Sequence, residues 1–167
     1  VLVTLAQEVE NMIVTSADLS NSDKTDGFIK GGARNLVKGD FSGKFLQAGV
    51  AELTMAAICN GIALHGGIHV ACATFFVFSD YMKPAFRLSA LMQMPVKYIW
   101  THDAFRVGED GPTHQPIEHE AQLRLLEKMQ NHAGKMSMLA LRPADAAETS
   151  VAWKMAMENT ETPTALV

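Results

Sequence analysis

Short apolar runs alternate with helix-forming stretches along the whole of this chain, and that alternation limits the fold more than any other feature. Met12 to Thr15, His69 to Phe78, Val96 to Trp100, Met138 to Leu141 and Thr164 to Val167 are rich in β-branched and aromatic residues. None alternates polar with apolar, so each reads as a strand buried on both faces. Between them, Glu52 to Leu64, Ser79 to Met92, Ile117 to Gln130 and Ala144 to Glu158 carry good helix formers. Val1 to Val9 is weakly helical, and Gly27 to Lys44 reads as loop. The expected fold is α/β: a mostly parallel sheet with helices on both faces. Gly66-Gly67 is expected to stop the first long helix. Ser79-Asp80 is expected to cap the second, with Pro84 in its first turn.

The chain of 167 residues is long enough for one domain with its own core. Hydrophobic residues make up 48% and charged residues 19%, an ordinary globular balance, and the net charge is −4. No basic stripe runs through it, which argues against a nucleic-acid surface. No Asp, Glu, Lys or Arg lies between Glu52 and Asp80, a span long enough to cross a bilayer. Asn60-Gly61 and His65-Gly66-Gly67 break it, so a helix, a turn and a buried strand are expected instead of a membrane segment. No basic n-region precedes an apolar stretch at the N-terminus, so no signal peptide is read. Cys59 and Cys72 lack CxxC spacing and read as buried thiols in a reducing cytoplasm.

Thr101 to Glu120 (THDAFRVGEDGPTHQPIEHE) carries the densest chemistry. Its twenty residues hold five carboxylates, Asp103, Glu109, Asp110, Glu118 and Glu120, and three of the six histidines, His102, His114 and His119. Gly108, Gly111, Pro112 and Pro116 force a loop. A strand feeding such a loop is where an α/β protein places its ligand. Several of these side chains have plainer readings. Asp103, Glu109 and Glu118 can hold loop backbone or cap the next helix, and His119 and Glu120 read as a solvated helix face. A metal hydrolase built from Asp110, His114, Glu118 and His119 is a remote alternative, opposed by Pro116 between the second and third.

Three blocks together resemble one family. They are Gly49-Val50-Ala51-Glu52 leading into Asn60-Gly61-Ile62-Ala63, then Thr74 to Tyr81 (TFFVFSDY), then Thr101-His102-Asp103 running into Gly108 to Pro116 (GEDGPTHQP). Ser16-Ala17-Asp18-Leu19 and Arg142-Pro143-Ala144-Asp145 add further landmarks. The pattern is similar to the pyrimidine-binding domain of the transketolase family, from about Ser16 to Val167. The resemblance implies a single pyrimidine-binding domain over 1–167, cut from a longer chain. It implies a thiamine-diphosphate enzyme of the pentose phosphate pathway that moves a two-carbon ketol unit between phosphorylated sugars.

By the same resemblance, Glu52 is the carboxyl that bonds the cofactor's pyrimidine nitrogen, and His114 is the second catalytic group. Phe75, Phe78 and Tyr81, with Asp18, border the cofactor. Ser22, His102, Asp110 and His114 face the sugar phosphate. Read without the family, Glu52 is a helix N-terminal carboxylate and the aromatics are core filling. The implied Mg2+ or Ca2+ would take its ligands from a diphosphate-binding (PP) domain absent here. That domain and a second subunit of a homodimer are the expected partners, beside the sugar substrates, in the cytoplasm. Dihydroxyacetone synthase, or the subunit of a split transketolase, remains an alternative within the same chemistry. Leu53, the Phe105-Arg106 pair and an apparent insertion over 127–137 depart from the family pattern.

Overall fold

The computed structural model describes residues 1–103 and 107–167; the Phe105-Arg106 pair lies outside them. Six strands form one sheet: β1 (Met12–Ser16), β2 (Phe45–Gln47), β3 (His69–Phe75), β4 (Lys97–Thr101), β5 (Leu139–Leu141) and β6 (Thr164–Leu166). Their order is β2-β1-β3-β4-β6-β5, and every pairing is parallel. Six helices connect and flank them: α1 (Leu2–Glu8), α2 (Asp26–Lys30), α3 (Glu52–His65), α4 (Ser79–Leu91), α5 (His119–Lys128) and α6 (Ala146–Glu158).

The strands β3 to β6 feed two cores, because successive side chains point to opposite faces. Val70, Cys72, Tyr98 and Trp100 pack on one face against Met55 and Cys59 of α3, Met82 and Phe86 of α4 and Leu123 of α5. Ala71, Ala73 and Ile99 pack on the other against Phe28 of α2 and Ala152, Trp153 and Ala156 of α6. This double burial explains why the strands read as continuous apolar runs.

Three local expectations are corrected. The His69 run is a strand only to Phe75; Phe76–Phe78 turn into a 3-10 helix that leads directly into α4. Phe78 is then the N-cap of α4, with no side-chain capping bond from Ser79 or Asp80. Pro84 consequently lies in the second turn of α4, where its missing N–H leaves the Asp80 carbonyl to solvent on an exposed face. In Gly27 to Lys44, part of a five-residue helix, α2, replaces loop, and β2 follows directly. Gly66 ends α3 at φ 83°, as its sequence requires. Residues 129–136 form an exposed surface turn closed by a Gln130–Met136 bridge.

The connections decide where a ligand can sit. From β1 the chain passes to β2 on one side and then crosses to β3 on the other. The carboxyl ends of β1 and β3 therefore part at a topological switch point, the usual crevice of open parallel sheets. The backbone enters the left-handed region just past three strands there, at Asp18 (φ 63°), Gly49 (φ 70°) and His102 (φ 58°). Among described residues no helix is long and apolar enough to cross a membrane.

Candidate functional site

A cleft of about 420 Å³ opens at that switch point, lined by Ala17, Leu19, Val50, Glu52, Phe78 and Tyr81. Each pair of lining residues follows a different strand, so the sheet itself brings them together. The β1 loop is fixed from below. Ser16 Oγ donates to Asp23 Oδ2 at 2.6 Å and accepts from the Leu19 amide at 3.1 Å. The other oxygen of the buried Asp23 accepts from the Thr25 amide and hydroxyl, at 3.0 and 2.6 Å. Asp23 holds this loop, although nothing in the sequence pattern singles it out beyond its place among turn residues.

Glu52 is the first residue of α3 and is only 7% exposed. The N-cap, Ala51, offers no side-chain bond, so Glu52 is the one acidic side chain in the uncapped first turn of α3. Among the described residues no Lys, Arg or His makes an ion pair with it. Glu52 is thus a buried carboxylate without a cationic partner among the described residues, on the wall of a largely apolar cleft.

The aromatic wall is continuous. Phe75 and Phe78 stack at 6.0 Å between centroids, and Phe78 and Tyr81 at 5.9 Å. Phe75 is buried, whereas Tyr81 is 64% exposed at the mouth. Two histidines from the loop after β4 close on this wall. His102 lies flat on Phe75 at 3.6 Å, and His114 meets Phe78 edge-on at 5.2 Å and Phe75 at 6.2 Å. His102 Nδ1 is 3.0 Å from Thr101 Oγ1, and His114 Nδ1 is 2.8 Å from Thr113 Oγ1. Asp103 anchors the start of the loop through Arg142, whose Nε and terminal nitrogen both reach Oδ2 at 2.8 Å.

The structure thus brings Glu52, Phe75, Phe78, Tyr81, His102 and His114 to one end of the sheet. Asp18 sits between the lining residues Ala17 and Leu19 but is exposed, and Ser22 and Asp110 are exposed outside the lining. Ala17, Leu19 and Val50 line the cleft although they enter the sequence motifs without a site role, because apolar side chains carry no chemical signal. Leu53 is half exposed on the outer face of α3.

One side chain is misread from sequence. His119 is buried, 4% exposed, where a solvated face is expected. It begins a stripe of His119, Leu123 and Leu126 at helical spacing, which turns it onto the core. Glu120 is half-buried and bridges Arg124 at 2.8 Å. The group of metal-ligating type among the described residues is Asp80, Glu118 and His119, within 4.8 Å of one another. Asp110 and His114 do not join it, so the four-residue hydrolase site does not assemble. A separate cavity of about 170 Å³, lined among others by Arg87, Leu126, Met129 and His132, brings no comparable grouping of aromatics and a buried carboxylate.

The family profile described as transketolase, pyrimidine binding domain, matches residues 1–167. This chain belongs to the transketolase pyrimidine-binding domain family. The transketolase of Geobacillus stearothermophilus is 49% identical over 167 residues, all of this chain and 23% of that protein. That of Bacillus subtilis is 48% identical over the same length and share. Among solved structures, transketolase from Leishmania mexicana superposes with a TM-score of 0.89 at 37% identity, over 99% of this chain and 23% of that one. A split-gene transketolase, described as an inactive beta4 tetramer, gives 0.71 at 29% identity, covering 99% of this chain and 47% of that one. The chain spans less than a quarter of the length of the single-chain relatives named here.

Proposed function

We propose that this pyrimidine-binding domain, 1–167, serves a longer transketolase that moves a two-carbon ketol unit between phosphorylated sugars with thiamine diphosphate. The observation that carries the reading is Glu52, a buried carboxylate with no cationic partner among the described residues, on the wall of an aromatic cleft at the switch point. The residues fit the cofactor's pyrimidine half. The cleft falls in the size range of small-molecule sites, its wall is aromatic, and the one carboxylate in its lining is Glu52.

Bound there, thiamine diphosphate would supply a carbanion centre for carbon–carbon bond cleavage. Glu52 would hold a proton at the pyrimidine ring nitrogen. Phe75, Phe78 and Tyr81 would exclude water and fix the ring's tilt, with Asp18 at the mouth. His114 would take or return a proton at the substrate's hydroxyl and carbonyl oxygens. His102, Ser22 and Asp110 would orient the sugar phosphate, His102 as the anion partner. Mg2+ or Ca2+ would be held by the PP domain, outside this chain.

Exposed apolar side chains support a covered surface next to the cleft. Val50, Leu53, Ile58 and Leu64 on and before α3, and Tyr81, Leu88 and Leu91 on α4, all stand in solvent in the isolated chain. The PP domain and a second subunit of a homodimer are the partners this face suits, in a cytoplasmic enzyme of the pentose phosphate pathway. A single-chain parent is favoured over a split one, since the higher identity is to single-chain relatives. The test is Glu52→Gln in the full-length enzyme. Turnover should fall by about 10²–10⁴-fold, the scale of a lost proton-transfer group, with the melting temperature kept. Turnover within a few-fold of the parent would end the reading.

A further inference from the structure

His119 stands at the first position of α5, directly after the loop that holds His114. Its Nε2 lies 3.1 Å from Asp80 Oδ2 and 3.2 Å from the Val77 carbonyl oxygen. Both neighbours are acceptors, so Nε2 carries the hydrogen and donates. The ring packs tilted against Phe76, 5.7 Å between centroids. Val77 belongs to the 3-10 turn that presents Phe78, and Asp80 to the first turn of α4 that presents Tyr81. One imidazole therefore joins the two halves of the site, the His114 loop and the aromatic wall.

The same atoms invite a cation-site reading, which the geometry disfavours. Asp80 and Glu118 are exposed, and Nε2 is already satisfied by two acceptors. The other nitrogen, Nδ1, has no hydrogen-bond partner and lies 3.8 Å from Glu118 Oε2. That leaves one bare lone pair beside one exposed carboxylate 3.8 Å away, short of a coordination shell.

We propose that His119 is a positioning residue whose Nε2–H latches the His114 loop to the Val77–Asp80 turn, setting His114 edge-on against Phe78. The proposal rests on the role given to His114 and the aromatic wall under the proposed function. Its physical content is narrower: a donor at the Nε2 position is required, and a donor at the Nδ1 position does not replace it.

Three variants of the full-length enzyme separate these demands. His119→Gln puts an amide N–H close to where Nε2 lies. His119→Asn reaches only to the Nδ1 position, and His119→Leu removes the donor. The Gln variant should keep kcat within about twofold of the parent. The Asn and Leu variants should lower it roughly tenfold, the worth of one lost hydrogen bond, with a smaller change in the KM for the phosphorylated sugar. A role in folding alone would move KM and kcat without this split and would not rank Gln above Asn. Equal effects of Gln and Asn, or an unchanged kcat for a folded Leu variant, would overturn the latch.

A second readout needs no activity. Long-range ¹⁵N–¹H correlation spectra of the 167-residue chain should show His119 as the Nε2–H tautomer at neutral pH. An Nδ1–H tautomer refutes the latch whatever the parent enzyme does. If the parent shows no ketol transfer while the spectra show the Nε2–H form, the proposed function fails and the latch stands.

Discussion

The imidazole of His102 lies flat against Phe75, with centroids 3.6 Å apart and planes 22° from parallel. The two come from neighbouring parallel strands: Phe75 ends β3 and His102 follows β4, whose last residue, Thr101, pairs with Phe75. His102 reaches this position with φ 58°, a conformation that strains a side-chain-bearing residue. The stack and the Thr101 hydroxyl offset that strain. Phe75→Leu should therefore move the His102 ring proton resonances downfield, by loss of the ring current, and cost about 1 kcal/mol of stability beyond the loss of area. Unchanged His102 shifts in the variant would show that the two rings do not stack in solution.

The isolated chain should bind thiamine diphosphate weakly and transfer no ketol units. None of the six residues lining the cleft is cationic, so nothing in that lining can neutralise a diphosphate. Calorimetric titration of the purified chain checks the affinity. Addition of a separately made PP domain should tighten binding and restore turnover, since the proposed function puts charge neutralisation and the cation on that side. Ketol transfer by the chain alone would contradict this division.

Lys97 is almost fully buried at the start of β4, and among the described residues its ammonium donates only to the Pro95 carbonyl, at 2.7 Å. Burial lowers its pKa to about 8. The neighbouring His69 is also lowered, first by burial and then by the Lys97 charge. Below pH 8 the folded state carries a desolvated ammonium, whereas the unfolded chain keeps its lysine protonated to about pH 10. Between those values the unfolded state binds more protons, so stability rises with pH there, by up to about 3 kcal/mol from this group. Urea denaturation at pH 7 and pH 9.5 measures the rise. Lys97→Met should flatten it, raise stability at pH 7 and move the His69 titration upward. A variant with the parent's pH dependence would assign the slope to another group.

The strands were legible because double burial writes a continuous apolar run, and α3 because Gly66 marks its end. The chemistry of the loop after β4 was legible because Gly and Pro exclude regular structure there while His102 and His114 recur beside them. Other features left no pattern. The run from His69 to Phe78 stays apolar through its 3-10 turn, so no change of residue type reports where the strand stops at Phe75. The elements α2 and β2, five and three residues long, are shorter than one period of pattern evidence. His119 is polar by type and buried by context; only its spacing to Leu123 and Leu126 betrays it. Asp23 works through bonds to Ser16 and Thr25 that depend on a loop closing in three dimensions.

Ser89 gives the sharpest stability test, because it ties α3, α4 and β4 together. Its hydroxyl is fully buried, 2.5 Å from the Tyr98 hydroxyl of β4, and it bonds Asn60 Oδ1 of α3. Asn60 Nδ2 donates to the Ala85 carbonyl of α4 at 2.9 Å, completing the network. Burial pushes the Tyr98 phenol well above its ordinary pKa, so it stays a neutral donor across the working pH range. Ser89→Ala removes the only described partner of the Tyr98 hydroxyl and leaves that group orphaned in the core. The cost should be about 1–3 kcal/mol, the penalty for a buried polar group without a partner. Pairing it with Tyr98→Phe should recover part of that loss, because the double variant removes both ends of this bond while Asn60 Oδ1 still lacks the Ser89 donor. Chemical denaturation of the two single variants and the double variant closes the cycle. Strict additivity would mean that the two hydroxyls do not bond.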